Sequence, residues 1–158
     1  KRVNERNDFG EPVADLHVKS SSLLGIEVPA CRAASMIDEY PILAVAAAAG
    51  KGKTTMQGVS ELRVKETDRI KVMAEGLRHC GVTVDYNHDS MQVTGGFVRG
   101  GATITSQHDH RIGMSFLTLG MIAAEPITVS GCETIQTSFP DFATHMLELG
   151  AAISVEAK

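Results

Sequence analysis

The stretch DEYPILAVAAAAGKG, Asp38–Gly52, decides how this chain is read. From Ile42 to Ala49 every residue is apolar. A helix there has no polar side to turn to water, so it is expected to be buried all round. Asp38 stands where an N-cap belongs, Pro41 suits a first turn, and Gly50 and Gly52 end the run. Short strand patterns flank it: GIEVP (25–29) before and KTTMQGV (53–59) after.

Working outward, TDRIKVMAEGLRHCG (67–81) reads as an amphipathic helix. Ile70, Met73, Ala74 and Leu77 form one stripe, and Gly81 is the stop. VTVDY (82–86) and SMQVTG (90–95) form a hairpin around NHD. The same order then restarts. ATITSQ (102–107) is a strand, and DHRIGMSFLTLGMIAAE (109–125) is a second nearly all-apolar helix with Asp109 as N-cap. PITVSG (126–131) is a strand. SFPDFATHMLELG (138–150) is a second amphipathic helix, opened by Ser138 and Asp141 in a capping-box pattern, and AAISVEA (151–157) is a last strand. Gly58 and Gly131 are 73 apart and Gly81 and Gly150 are 69 apart, an internal repeat of about 70 residues. The fold class is therefore α/β, built from repeated βαβαββ units. Residues 1–28 hold the closing hairpin of a preceding unit and the start of the next. Residues 29–96 make one unit and 101–158 the final one.

The repeat has a geometric consequence. The apolar helix runs about 18 Å away from Asp38, at about 1.5 Å per residue. The next strand returns over about 23 Å, at about 3.3 Å per residue. Asp38 and Glu66, 28 apart in sequence, should then be neighbours. Helix starts at Asp38, near Arg69, at Asp109–Arg111 and at Thr137–Ser138 should share one edge. Four N-termini with unpaired N–H groups make an anion-binding edge, on which Lys65, Arg69 and Arg111 lie.

Bulk properties narrow the classes. The 158 residues are 43% hydrophobic and 22% charged, with a net charge of −4, so no nucleic acid or membrane surface is expected as a partner. Cys31, Cys80 and Cys132 form no C-x-x-C pair and read as free thiols in a reducing compartment. No apolar run reaches the ~18–20 residues of a membrane span, and no signal-peptide pattern is visible. The chain starts without Met on residues that already read as a strand, which reads as a fragment of a longer protein.

Two readings of ELRVKETDRI (61–70) stay open on residues alone. One is a solvated ladder of i,i+4 pairs. The other is a site in which Lys65 and Arg69 hold an anion while Glu66, its pKa held down between cations, exchanges a proton. Asp38 by itself reads best as a simple N-cap. Arg111 opposes the dipole at the start of its helix, which calls for a compensating anion, either ligand or carboxylate. His108 and His110 bring no third metal ligand and read as polar residues at a helix start. GKGKTT fails as a P-loop, because Ala47 stands where Gly is needed and the order of elements is reversed.

IDEYPILAVAAAAGKG, ELRVKETDRI, HDHRIGMS and TSFPDF, in this order and spacing, resemble the C-terminal part of the 5-enolpyruvylshikimate-3-phosphate synthase family, from about Val13 onward. The combination is most similar to its glyphosate-tolerant bacterial branch. The resemblance implies two similar domains, each of three βαβαββ units with buried parallel helices, arranged like an inside-out barrel. This chain would be most of one domain, and its partner would be the missing N-terminal domain. It implies a cytoplasmic enzyme of aromatic amino acid biosynthesis that needs no cofactor or metal. The reaction moves the enolpyruvyl group of phosphoenolpyruvate to the 5-hydroxyl of shikimate 3-phosphate, by addition and then elimination of phosphate. Asp38 matches the proton acceptor at the 5-hydroxyl, and Glu66 the carboxylate that exchanges a proton with the methylene carbon. Lys65 matches a lysine on the shikimate phosphate side, and Arg69 and Arg111 match two arginines that hold phosphoenolpyruvate. Glu61 stands where some members have Asn, and Thr137 near where some have Lys, so no substrate role carries over to either.

Two other functions compete. An enolpyruvyl transferase acting on UDP-N-acetylglucosamine shares the fold, but KETDR and HDHR speak against it. A non-catalytic interaction module would leave the charges merely solvated. Because half of the implied site lies on another domain, the 158-residue chain alone is expected to be inactive. Appreciable turnover by the purified chain, followed as phosphate release, would contradict that expectation.

Overall fold

The computed structural model describes residues 1–155. Two strands, β1 (Arg2–Asp8) and β2 (Glu11–Leu16), open the chain as an antiparallel hairpin. Phe9 and Gly10 at its tip both have left-handed φ, of 56° and 92°, the pair that lets a two-residue turn follow the strand twist. Pairing therefore runs up to Asp8 and Glu11, directly on either side of the tip.

The first repeat begins with β3 (Glu27–Val28) and a short helix, α1 (Ala33–Met36). A 3-10 turn at Ile37–Glu39 leads into α2 (Tyr40–Ala49), followed by β4 (Gly52–Gln57) parallel to β3. A 3-10 segment, Ser60–Val64, precedes α3 (Arg69–His79), and β5 (Thr83–Tyr86) and β6 (Ser90–Gly95) close the repeat as a hairpin. The sheet order is β3-β4-β6-β5, with β6 antiparallel to both neighbours. The second repeat runs β7 (Thr103–Thr105), α4 (His110–Gly120) and β8 (Thr128–Ser130), with β8 parallel to β7. Two short helices, α5 (Ile135–Ser138) and α6 (Phe142–Glu148), follow.

The glycines that mark the repeat do the same job in both copies. Gly58 and Gly131 have φ of 72° and 74°, and Gly81 and Gly150 of 85° and 92°. At Gly81, the Gly81 N–H donates to Arg78 O and the Val82 N–H to Leu77 O. At Gly150, the Gly150 N–H donates to Leu147 O and the Ala151 N–H to Met146 O. Both are the paired bonds of a glycine-closed helix end. The core is made by α2, α3 and α4 packing together. Tyr40, Ala44, Ile70, Met73, Leu77, Ile112, Phe116 and Leu119 are all buried in it. The stripe expected on 67–81 is therefore the buried face of α3. No helix among the described residues is long and apolar enough to cross a membrane.

Several expectations need correction. First, α2 is not buried all round: Ile42 is 40% exposed and Ala49 is also open, because no described element covers that side. Second, Asp38 is no N-cap. It lies inside the 3-10 turn, Glu39 takes the cap position, and no side chain caps α2. Third, the helix expected over 138–150 is broken. Ser138 ends α5, and Phe139, before Pro140, leaves the helical region at φ −145°, ψ 77°, as a residue ahead of proline tends to do. Asp141 then precedes α6 without a side-chain cap bond. The second apolar helix also stops early, at Gly120. Fourth, Ala151–Val155 form no strand, and the rest of that expected strand, Glu156 and Ala157, lies outside the described residues.

The tightest helix contact is between α3 and α4. A Cβ at Gly76 would stand 2.2 Å from Cζ of Phe116, whose ring is fully buried. Gly76→Ala gains up to ~1 kcal/mol of helix propensity but overpacks the core at a cost of ~1–3 kcal/mol. We expect a net loss in urea unfolding, which Phe116→Leu relieves when the two changes are combined. A loss that simply adds to that of Phe116→Leu would show that the ring is not the obstacle.

Candidate functional site

Two N-caps build the site. Asp68 caps α3, its Oδ1 accepting from Lys71 N at 3.0 Å, so Arg69 is the first residue of the helix. Asp109 caps α4, its Oδ1 accepting from Arg111 N at 2.9 Å and Ile112 N at 3.3 Å. From its place at the helix start the Arg69 side chain enters the protein, and only 1% of it is exposed.

Its guanidinium gathers three carboxylates from three parts of the chain. Nε donates to Asp109 Oδ2 at 2.7 Å and Nη2 to Asp109 Oδ1 at 3.3 Å. Nη1 donates to Asp38 Oδ1 at 2.9 Å, and Nη2 to Glu66 Oε2 at 2.5 Å. Thr67 Oγ1 also donates to Asp109 Oδ2, at 3.3 Å. Asp109 is fully buried, whereas the side chains of Asp38 and Glu66 are 44% and 50% exposed. Arg69 is thus closed behind by Asp109 and faced in front by two carboxylates that water reaches.

Arg111 flanks Asp38 from the other side. Its Nη1 donates to Asp38 O at 3.0 Å and to Glu39 Oε1 at 3.3 Å, and its Nη2 stands 3.8 Å from Asp38 Oδ2. The compensating anion expected for Arg111 is therefore carboxylate from the chain itself. Lys65 pairs with Glu61 at 2.6 Å. It sits at the end of the 3-10 segment with extended backbone, so it does not share a helical face with Arg69.

The electrostatics follow from these contacts. Burial alone would raise the Asp38 carboxyl. The hydrogen bond from Arg69 and the charges of Arg111, Arg69 and Lys65 outweigh it and hold the group below its ordinary 3.8. Burial disfavours the charge on Arg69, but Asp109, Asp38 and Glu66 more than restore it. Lys65 is raised first by its hydrogen bond to Glu61. The thiols of buried Cys80 and half-buried Cys132 are pushed up by desolvation, and all three cysteines are free.

Asp38, Glu66, Arg69 and Arg111 therefore meet as expected, with Lys65 beside them. Three helix starts converge here, not four. Thr137 and Ser138 end α5, and Thr137 Oγ1 only donates back to Thr134 O. The ladder reading holds for Glu61 and Lys65 but fails for Arg69, which is buried. Asp109 is the member that residue-by-residue reading missed beyond its cap role. A signal was present: it lies 71 residues after Asp38, within the repeat offset, so the two aspartates are repeat equivalents on one arginine. Among the described residues no group of three or more His, Cys, Asp or Glu could hold a metal ion. His108 instead stands 3.5 Å from Glu133.

The chain is similar to known proteins over nearly its whole length. Residues 6–146 match the family model described as EPSP synthase (3-phosphoshikimate 1-carboxyvinyltransferase). The chain is 57% identical over 152 residues to the 3-phosphoshikimate 1-carboxyvinyltransferase of Rhodospirillum rubrum, covering 95% of this chain and 34% of that protein. It is also 57% identical to the enzyme of the same name from Cereibacter sphaeroides, covering 96% and 34%. The chain thus spans about a third of the length of the curated relatives it matches. Among solved structures, EPSP synthase from Acinetobacter baumannii superposes with a TM-score of 0.94 at 42% identity, over 99% of this chain and 37% of that one. The enolpyruvyl transferase NikO from Streptomyces tendae shares the fold alone, with a TM-score of 0.66 at 19% identity.

Because its folded pKa is depressed, Asp38 contributes stability at neutral pH that is lost as pH falls below 3.8 through the folded value. The melting-temperature gap between the wild-type chain and Asp38→Asn is therefore expected to be open at pH 6–7 and to narrow only as the pH drops below 3.8. A gap that stays constant down to the acid limit would show that the carboxylate is unpaired.

Proposed function

This chain belongs to the EPSP synthase family, and from that premise we propose that it supplies one side of the active site of an enolpyruvyl transferase. The substrates are phosphoenolpyruvate and shikimate 3-phosphate, and the rest of the enzyme, working in the cytoplasm, supplies the other side. The units are those read from the repeat, 29–96 and 101–158, with 1–28 holding the closing hairpin of a preceding unit and the start of the next. The observation that carries the reading is the buried Arg69 guanidinium, which holds Asp38 and Glu66 side by side with Arg111 against Asp38.

Addition forms a C–O bond between the 5-hydroxyl oxygen and C2 of phosphoenolpyruvate. Asp38 takes the hydroxyl proton, and Glu66 delivers a proton to the methylene carbon, giving a tetrahedral intermediate with a methyl group. In elimination Glu66 takes a methyl proton back, the double bond re-forms, and phosphate leaves with the proton that Asp38 had taken, which restores both carboxyl groups. Base and acid are needed on the same intermediate, and these two carboxylates share one guanidinium.

The cations are not idle before substrate arrives. Arg69, Arg111 and Lys65 are paired with Asp38, Glu39, Glu61, Glu66 and Asp109. An incoming phosphate or carboxylate must therefore take the place of carboxylates on Arg69 and Arg111. Asp38 and Glu66 are the exposed ones and yield first, while Asp109 stays behind Arg69 as a buried counter-charge. Substrate anions then neutralise the cations that hold Asp38 down, which makes Asp38 a stronger base when one is needed.

In the full-length protein that carries this chain, Asp38→Asn and Glu66→Gln are each expected to lower kcat by about 10²–10⁴-fold. Phosphate release from phosphoenolpyruvate, dependent on shikimate 3-phosphate, is the measurement. Turnover unchanged in both variants, or activity with UDP-N-acetylglucosamine as acceptor instead, would overturn the reading.

A further inference from the structure

Arg63 lies in the same charged stretch, yet it touches none of the residues just given a role. Its Nη1 donates to Asp68 Oδ2 at 2.6 Å, and its Nε to His88 O at 2.8 Å. Its Nη2 donates to Asn87 O. Asp68 is the N-cap of α3, while Asn87 and His88 form the tip of the β5–β6 hairpin. A second tie joins the same tip to the start of the segment. Asp89 Oδ1 accepts from Ser60 N at 2.8 Å, and Asp89 O accepts from Val59 N at 3.1 Å.

Arg63 and Asp68 form an ion pair, and between them, once the 3-10 segment ends at Val64, the chain runs outside helix and strand up to α3. Lys65, Glu66 and Thr67 are at the apex of this loop. Two apex side chains reach the cluster on Arg69: Glu66 bonds Arg69 and Thr67 bonds Asp109, while Lys65 pairs with Glu61 beside them. The apex has no element of its own to fix its direction. What fixes it is the base of the loop.

We propose that Arg63 is a positioning residue: its guanidinium clasps the base of the 63–68 loop, pins it to the Asn87–Asp89 hairpin tip, and so aims Lys65 and Glu66 into the site. The assignment rests on the proposed function for its catalytic meaning, but the clasp itself is independent of it. Three acceptors in three directions require the planar fork of arginine, which a lysine ammonium on the same stem cannot reproduce. Asp68 carries two loads, since one oxygen caps α3 and the other closes the clasp.

The test combines two measurements on Arg63→Lys. In the 158-residue chain, NMR order parameters of the Lys65, Glu66 and Thr67 amides should fall from the rigid range near ~0.85 to below ~0.6, while those of Met73 and Ala74 in α3 stay rigid. In the full-length protein, kcat should fall on the order of 10²-fold, the scale of a misaimed catalytic group. KM for shikimate 3-phosphate should rise as well, which a mere loss of folded enzyme would not produce. If Arg63→Lys fails to fold, Asp68→Asn keeps the helix cap and removes the charge from the clasp. It should loosen the same three amides. Unchanged order parameters, a uniform drop across the chain, or wild-type kinetics with a loosened loop would each overturn the assignment. If the wild-type enzyme shows no enolpyruvyl transfer at all, the functional reading fails, while the order parameters still decide the clasp.

Discussion

A guanidinium removed from water costs several kcal/mol of desolvation, and only carboxylates with good hydrogen-bond geometry offset it. Arg69 meets that condition with three carboxylates, one from before α2, one from the loop ahead of α3 and one from the start of α4. The constraint runs in both directions. Removing Arg69 would leave Asp109 buried without its cation, a loss of the kind that costs about 3–5 kcal/mol. The interaction that draws Asp38, Glu66 and Asp109 together therefore also ties three helix starts into one edge. Site and fold share a single fastening.

The internal repeat explains why the fastening is possible. Equivalent glycines close equivalent helices with the same pair of bonds, at Gly81 and at Gly150. Two repeat-equivalent aspartates, Asp38 and Asp109, approach the same arginine from opposite sides. Their environments differ, and so do their roles. Asp109 is buried and fixed by two backbone N–H groups, so it serves as a permanent counter-charge. Asp38 is half-exposed, carries no capping duty and lies between two arginines, so it is the one of the pair that water reaches.

The sequence showed the repeat, the stripe on α3 and the meeting of Asp38 with Glu66, because each follows from period and element length. It did not show that Arg69 is buried. The i,i+4 spacing of Lys65 and Arg69 looks the same in a solvated ladder, and the partners that bury Arg69 lie 31 and 40 residues away. Asp38 looked like a cap because local sequence cannot reveal the 3-10 turn that shifts the cap to Glu39. The helix over 138–150 failed for a reason that was visible: Pro140 forbids helical backbone at Phe139, and the capping pattern hid it. The open side of α2, at Ile42 and Ala49, could not be read from an all-apolar run, which says what must be covered but not by what.

The central claim is that Arg69 is a buried, fully engaged guanidinium and not a member of a surface ladder. The exchange of its Nε–H with water, followed by NMR at neutral pH in low and in 1 M salt, tests this most directly. A proton bonded to buried Asp109 should exchange slowly, and salt should hardly change its rate, since screening acts weakly on buried pairs. Fast exchange at the rate of a solvated arginine, or exchange that accelerates sharply with salt, would contradict the account.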